Sequence, residues 1–173
     1  MQKSRAAIAS AAFFVVAPGT VVGLIPWLIT HWEITGSTPV WWVVQTLGVV
    51  LIVLGLIPPV HAFTQFVKAG GTPMPIAPTQ RLVVTGFNRY VRNPMYVGLF
   101  IAIIGQALLF GSWSLLVYAA LVSTAFASFV HWYEEPKLVR YYDGEYETYR
   151  RNVHAWLPRW RPWTPEAQHQ PHR

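Results

Sequence analysis

The chain contains no cysteine, which excludes disulfides, thiolate metal ligands and a cysteine nucleophile together. Charge is also scarce: 12% of the 173 residues are Asp, Glu, Lys or Arg, against about a quarter in an ordinary soluble domain. The rest is too apolar for disorder, at 53% hydrophobic with 9 Trp, 8 Tyr and 9 Phe. The missing charges leave long gaps. Ala6 to Thr30, Ile34 to Val67 and Asn93 to Tyr133 contain none, and a spanning helix needs about 20 such residues. The reading is an integral membrane protein of the all-α class. The first gap follows Lys3 and Arg5 as a signal peptide would, but it reaches Thr30 without a small-residue cleavage site and reads as a retained helix.

About four transmembrane helices are expected, over 6–29, 40–66, 95–110 and 113–133. The last two come from one uncharged run that would measure about 60 Å as a single helix, twice a bilayer. Gly111-Ser112 is the turn that divides it into a tight hairpin with a short first arm. Pro18, Pro26, Pro58 and Pro59 fall inside or at the ends of the first two spans and require neighbours that satisfy the freed carbonyls. Gly19-x-x-x-Gly23 has the spacing of a helix-packing motif.

Lys and Arg set the orientation. Lys3 and Arg5 precede the first span, Lys68, Arg81, Arg89 and Arg92 lie between the second and third, and Lys137, Arg140, Arg150, Arg151, Arg159 and Arg161 follow the fourth. The other connections carry none, so both termini and the 67–94 loop are expected in the cytoplasm. The net charge of +6 is therefore a topology signal, with attraction to anionic lipid headgroups as a consequence. It is no sign of nucleic-acid binding, because the basic residues flank spans. Beyond the fourth span, Leu138, Tyr142, Tyr146, Tyr149 and Val153 recur at three and four residues, which predicts an amphipathic cytoplasmic helix over 134–157 at the membrane surface. Residues 1–160 read as one domain, with 161–173 as a mobile tail.

Polar side chains inside spans need a reason. Gln45, His61, Gln65, Gln106 and His131 are the notable ones, and His61 and His131 share a depth near the cytoplasmic end. No ligand spacing accompanies them, so no metal site is expected and interfacial hydrogen bonding is the simpler role.

The most informative stretch is Thr85-Gly86-Phe87-Asn88-Arg89-Tyr90-Val91-Arg92-Asn93-Pro94-Met95-Tyr96-Val97-Gly98, followed by Glu134-Glu135-Pro136-Lys137-Leu138 and Tyr142-Asp143-Gly144-Glu145-Tyr146-Glu147-Thr148-Tyr149. Over 81–160 this resembles the isoprenylcysteine carboxyl methyltransferase and phospholipid methyltransferase superfamily of membrane enzymes. Its first motif, Arg-His-Pro-x-Tyr-x-Gly, falls on Arg92, Asn93, Pro94, Tyr96 and Gly98, with Asn93 in place of the His. Asn keeps a donor and an acceptor and loses the titratable ring. The second motif falls on Glu134, Glu135, Leu138, Tyr142, Asp143 and Tyr146, with Asp143 where a Gly is expected and Gly144 one place late.

The resemblance implies S-adenosylmethionine as cofactor, and the residues suit its chemistry. Arg92 offers a partner for the ligand carboxylate, and Glu134 or Glu135 for its ammonium or ribose hydroxyls. Tyr90, Tyr96, Tyr142 or Tyr146 offer aromatic faces for adenine or the sulfonium. Asn93 and Pro94 shape the start of the third span, Gly98 permits close approach of a helix or ligand, and Leu138 completes the cofactor-binding set. For catalysis, Arg92, Glu135 and His131 are candidates beside a mechanism driven mainly by alignment. The implied reaction is methyl transfer to a lipid-like or prenylated acceptor entering from the bilayer. The alternatives are a membrane NADPH-dependent sterol- or quinone-type reductase, and a noncatalytic membrane scaffold.

Overall fold

The computed structural model describes residues 16–35, 38–68, 82 and 84–164. Among them the regular structure is helical: α1 (Val16–Thr30), α2 (Pro39–Lys68), a 3-10 turn (Gly86–Arg89), α3 (Pro94–Phe110), α4 (Trp113–Phe129) and α5 (Glu135–Asn152). The Lys3 and Arg5 signal, most of the 67–82 loop and the end of the tail lie outside the described residues.

Two helical stretches, Pro39–Gln65 and Trp113–Asn152, the second kinked at Asp143, are long and apolar enough to cross a membrane, and Val16–Thr30 and Pro94–Phe110 are shorter apolar helices. Only 11% of the apolar window of α2 is buried inside the chain, so α2 is no core helix of a soluble fold. Its Val40, Trp42, Val43, Leu47, Val53 and Val60 face outward, as do Trp113, Val117 and Leu121 of α4. A surface of this kind is covered by lipid.

Lipid gives two helices no hydrophobic reason to associate, so close backbone packing must do it. Helices α2 and α3 run antiparallel on two glycine pairs, Gly48 against Gly105 and Gly55 against Gly98. A Cβ on Gly105 would stand 2.6 Å from the Gly48 carbonyl oxygen, and one on Gly55 2.6 Å from the Gly98 carbonyl oxygen. A Cβ on Gly98 would meet the Gly55 carbonyl closer still. Leu99, Ala102 and Ile103 are buried alongside. The Gly19 and Gly23 pair, in contrast, has open space at both Cβ positions among the described residues.

The hairpin turns at Gly111, as its sequence requires. Gly111 takes φ +65° and donates its N–H to the Ala107 carbonyl, as a left-handed helix cap. Its open side receives the Trp41 ring, 2.6 Å from where a Cβ would stand.

Two prolines shape the helices in the same way. A π turn over Thr20–Leu24 ends with the Ile25 N–H on the Thr20 carbonyl, and Pro26 follows. A second over Val130–Glu134 ends with the Glu135 N–H on the Val130 carbonyl, and Pro136 follows. A proline ring has no N–H and crowds the carbonyl one turn back, so the preceding turn widens. In α1 the freed carbonyls find side-chain donors: Gln106 Nε2 donates to Val22 at 2.8 Å and the Tyr118 hydroxyl to Val21 at 2.9 Å. This explains the buried Gln106 and ties α1 to α3 and α4.

The expected separate surface helix differs in detail. It is α5, ending at Asn152, and it continues α4 through the second π turn without a break. Its stripe does not face lipid: Tyr146, Tyr149 and Val153 form a buried cluster with Val84, with Leu82, Leu138, Tyr142 and Trp163 packed on it. The stripe has found the 82–93 loop because that loop presents its own apolar side chains at close range. Asp143 breaks the helix with φ 35° and ψ −115°.

Candidate functional site

The motif residues converge where the 84–93 segment, the start of α3 and the start of α5 meet. Pro94 is the first residue of α3, and Asn93 before it is held at φ −118°, outside helical geometry. That leaves Arg92 and Asn93 in a non-helical corner, pinned by the chain beyond α5: the Arg92 N–H donates to the His154 carbonyl at 2.9 Å and the Asn93 N–H to Ala155 at 3.3 Å. The Asn93 side chain adds a bond from Nδ2 to the same Ala155 carbonyl at 3.2 Å. Asn at the family's His position thus serves as a backbone clamp.

The corner aims two side chains at two adjacent carboxylates. Arg92 Nη1 lies 2.7 Å from Glu135 Oε1, an ion pair with side-chain exposures of only 11% and 15%. Arg92 Nη1 also donates to the Tyr146 hydroxyl at 3.1 Å. The Tyr96 hydroxyl donates to Glu134 Oε1 at 2.7 Å. The π turn ends at Glu134, so it sets how these neighbouring carboxylates present themselves to one corner. Arg92 Nε is buried without a hydrogen-bond partner among the described residues. A buried guanidinium N–H left in this state is costly, and an anionic oxygen is the group that would complete it.

Aromatic rings flank the cluster at Tyr96. Tyr96 lies between Phe126, at 4.7 Å between centres, and Trp156, at 6.5 Å. Burial pushes the Tyr146 phenol above its ordinary pKa, with Arg92 pulling the other way. Burial also raises that of Tyr149, whose hydroxyl donates to the Asn88 carbonyl at 2.7 Å. Both phenols stay protonated at neutral pH, Tyr149 donating to Asn88 and Tyr146 accepting from Arg92.

Of the residues singled out in the sequence, Arg92, Tyr96, Glu134, Glu135 and Tyr146 come together here. Leu138 and Tyr142 belong to the apolar cluster beneath. Tyr90 keeps an exposed ring and contributes its carbonyl, which accepts the Arg159 N–H at 2.9 Å. Gly98 faces α2, so its close approach is to a helix. His131 is exposed beside Trp132, and His61 stacks edge-on against Phe87 at 5.2 Å, with Gln65 at 3.4 Å. The two histidines have separate partners. Among the described residues no group of three His, Asp or Glu side chains is placed to hold a metal ion.

Sequence reasoning missed three parts of this arrangement. Trp156 lies beside Tyr96, and Glu145 accepts the Leu82 N–H at 2.8 Å. The described start of the expected mobile tail, 161–164, is docked: Arg89 Nε donates to the Trp163 carbonyl at 2.9 Å, and the Trp163 N–H returns to Arg89 at 2.9 Å. The Trp in that proline-rich stretch was the available signal.

A family model for phospholipid methyltransferases matches residues 43–145, from α2 into α5 and more than half of the chain. The protein-S-isoprenylcysteine O-methyltransferase of Schizosaccharomyces pombe is 38% identical over 77 residues, which cover 44% of this chain. The chain spans about a third of that relative's length (33%). No solved structure matches. The matched region contains both carboxylates, the Arg92 corner and the helices that carry them, and on that match the chain belongs to the phospholipid methyltransferase family.

Proposed function

We propose that the chain is an S-adenosylmethionine-dependent membrane methyltransferase that methylates the carboxylate of a lipid-like or prenylated acceptor. The reading rests on one juxtaposition. An apolar groove of about 380 Å³ lies between α1, α2 and the start of α3, lined by residues including Val22, Leu56, Pro59, Phe63, Met95 and Leu99. Met95 lines the groove and Tyr96, its neighbour in the same turn, belongs to the polar cluster. The fold thus sets an aliphatic compartment beside a charged one, as a reaction between a polar donor and a greasy acceptor requires.

The cluster suits the cofactor. Arg92 would hold its carboxylate through the unpartnered Nε–H, Glu134 and Glu135 its cationic and hydroxyl groups, and the Tyr96 and Trp156 rings would pack on its flat or cationic parts. When bound, S-adenosylmethionine supplies a methyl group activated by a sulfonium leaving group. The chain contributes position and exclusion of water: the clamp through Asn93 fixes the Arg92 corner, and the 153–164 segment covers it. A carboxylate acceptor suits this site because it is ionised at neutral pH and needs no base, and neither His61 nor His131 is directed at the cluster. With four spans and the positive-inside rule, the cluster faces the cytoplasm, where the cofactor is.

The test is transfer of label from methyl-tritiated donor in nanodiscs, with a prenylated cysteine, its amide and phosphatidylethanolamine as competing acceptors. The proposal predicts alkali-labile label, as in a methyl ester, on the free carboxylate alone. Label on the amine lipid would overturn the acceptor assignment.

A further inference from the structure

The segment after α5, Trp156-Leu157-Pro158-Arg159-Trp160-Arg161, presents its largest apolar side chains to the outside on a backbone that is held still. Trp160 is fully exposed and Leu157 is 72% exposed. Yet the Arg159 N–H is bonded to the Tyr90 carbonyl at 2.9 Å, Arg159 Nη1 caps the Asn152 carbonyl at 2.6 Å, and Trp163 is tied to Arg89. The backbone is therefore fixed with Leu157 and Trp160 exposed.

The depth of the segment follows from its partners. Tyr90 precedes Pro94, the first residue of α3, by one helical turn's worth of chain, and Trp156 lies 6.5 Å from Tyr96 in the first turn of that helix. The segment is therefore level with the end of an apolar helix, where a bilayer changes from hydrocarbon to headgroup. At the corresponding end of α4, Trp132 and Tyr133 are also exposed, and Lys137 Nζ stands 3.7 Å above the Tyr133 ring. Tryptophan and tyrosine with lysine or arginine is the composition that settles at this boundary. Between Val153 and Thr164 the chain carries Arg159, Arg161 and His154 and no acidic residue, which complements an anionic headgroup surface.

We infer that Trp156–Arg161 is an interfacial anchor: Leu157 and Trp160 insert into the headgroup layer of the bilayer that the helices cross, and Arg161 lies against its anionic lipids. The anchor is coupled to the site. The His154 and Ala155 carbonyls just before it hold the Arg92 and Asn93 amides, so seating the anchor seats the corner that carries Arg92. The inference is independent of which reaction the site performs.

Because the chain has no cysteine, Leu157→Cys gives a single spin-label site on an exposed side chain, and Arg151→Cys gives a control on the outer face of α5. Both labels are measured by electron paramagnetic resonance with oxygen and a water-soluble nickel chelate, in nanodiscs holding one protein each. The lipid is phosphatidylcholine alone or mixed with phosphatidylglycerol. The inference predicts loss of nickel collisions and gain of oxygen collisions at position 157 relative to 151, deepened by phosphatidylglycerol. Arg161→Gln should remove the phosphatidylglycerol increment, and Trp160→Ser should bring the 157 label back towards water. Hydrogen exchange at the Arg92 and Asn93 amides should slow in the anionic discs and speed up in Trp160→Ser. Equal nickel access at 157 and 151 in both lipids overturns the anchor. Protection at 157 that is absent from these discs and present, with dipolar broadening between labels, in larger discs loaded with two copies overturns it in favour of a self-association surface.

Discussion

The α2–α3 pair and the polar cap made by the 84–93 segment, α5 and the chain after it are held together by opposite means. The helix pair closes on backbone: two glycine pairs bring carbonyl oxygens against α-carbons, and nothing charged takes part. The cap closes on side chains, through the Arg92–Glu135 ion pair, the Tyr96–Glu134 and Tyr149–Asn88 bonds and a cluster of tyrosines. In lipid, apolar surface gains nothing by finding other apolar surface, so shape must carry the association. Outside it, burying rings drives the contact and each buried polar group needs its partner.

The comparison breaks most sharply at Gly98. Gly98→Leu drives a side chain into the Gly55 carbonyl, which cannot yield, and should cost more than about 3 kcal/mol. Size-exclusion profiles in detergent should show aggregate in place of a folded peak. Gly23→Ala, which has open space around it, should leave the profile unchanged. A change at Arg92 should spare the membrane helices and damage the cap. Arg92→Ala leaves the part-buried Glu135 without its cation, at about 1–3 kcal/mol, and thermal unfolding followed by tyrosine and tryptophan fluorescence should fall accordingly while far-ultraviolet helix content at low temperature persists.

A smaller effect should have the opposite sign. Asp143 holds φ 35°, where a residue with a side chain is strained, while Gly144 beside it uses no positive φ and has free space. Asp143→Gly should therefore raise the cap's stability by about 1 kcal/mol. Calorimetric unfolding checks this.

The smallest effect is one of pH. Burial raises the Tyr149 phenol above the ordinary value of about 10. The unfolded chain therefore loses this proton first as pH rises, so the stability it contributes is whole below about pH 10 and falls above it. The unfolding midpoint should be flat through the neutral range and decline beyond pH 10, and Tyr149→Phe should make that decline shallower.

Much of this was legible in the sequence because it rests on local composition. Stretches without charge mark helices whatever they touch, which is why α2, α3, α4 and the Gly111 turn fall close to their expected bounds. The first motif put Arg92 and Tyr96 in one place, and the second put Glu134 and Glu135 opposite them. What could not be read depends on pairing at a distance. Gly48 and Gly55 have meaning only beside Gly105 and Gly98 on another helix, whereas the more conspicuous Gly19 and Gly23 spacing has open space at both Cβ positions among the described residues. The stripe on α5 has the periodicity of a membrane-lying helix, and periodicity does not say whether lipid or protein covers it. The 161–164 segment looked mobile from its prolines, and its docking depends on Arg89, more than seventy residues away.

The proposed function requires that the Arg92, Glu135, Tyr96 and Glu134 cluster hold the cofactor. Its most direct test is calorimetric titration of the intact protein in nanodiscs with S-adenosylhomocysteine, beside NADPH, for the unchanged chain and for Arg92→Lys and Glu134→Gln. Both variants stay close to the original in size, Arg92→Lys keeping the charge and losing the Nε–H, Glu134→Gln keeping an acceptor oxygen and losing the charge, and circular dichroism checks that both remain folded. The account predicts saturable adenosyl-ligand binding, no response to NADPH, and weakened binding in both variants. Undiminished binding in both folded variants, or binding of NADPH alone, would contradict it.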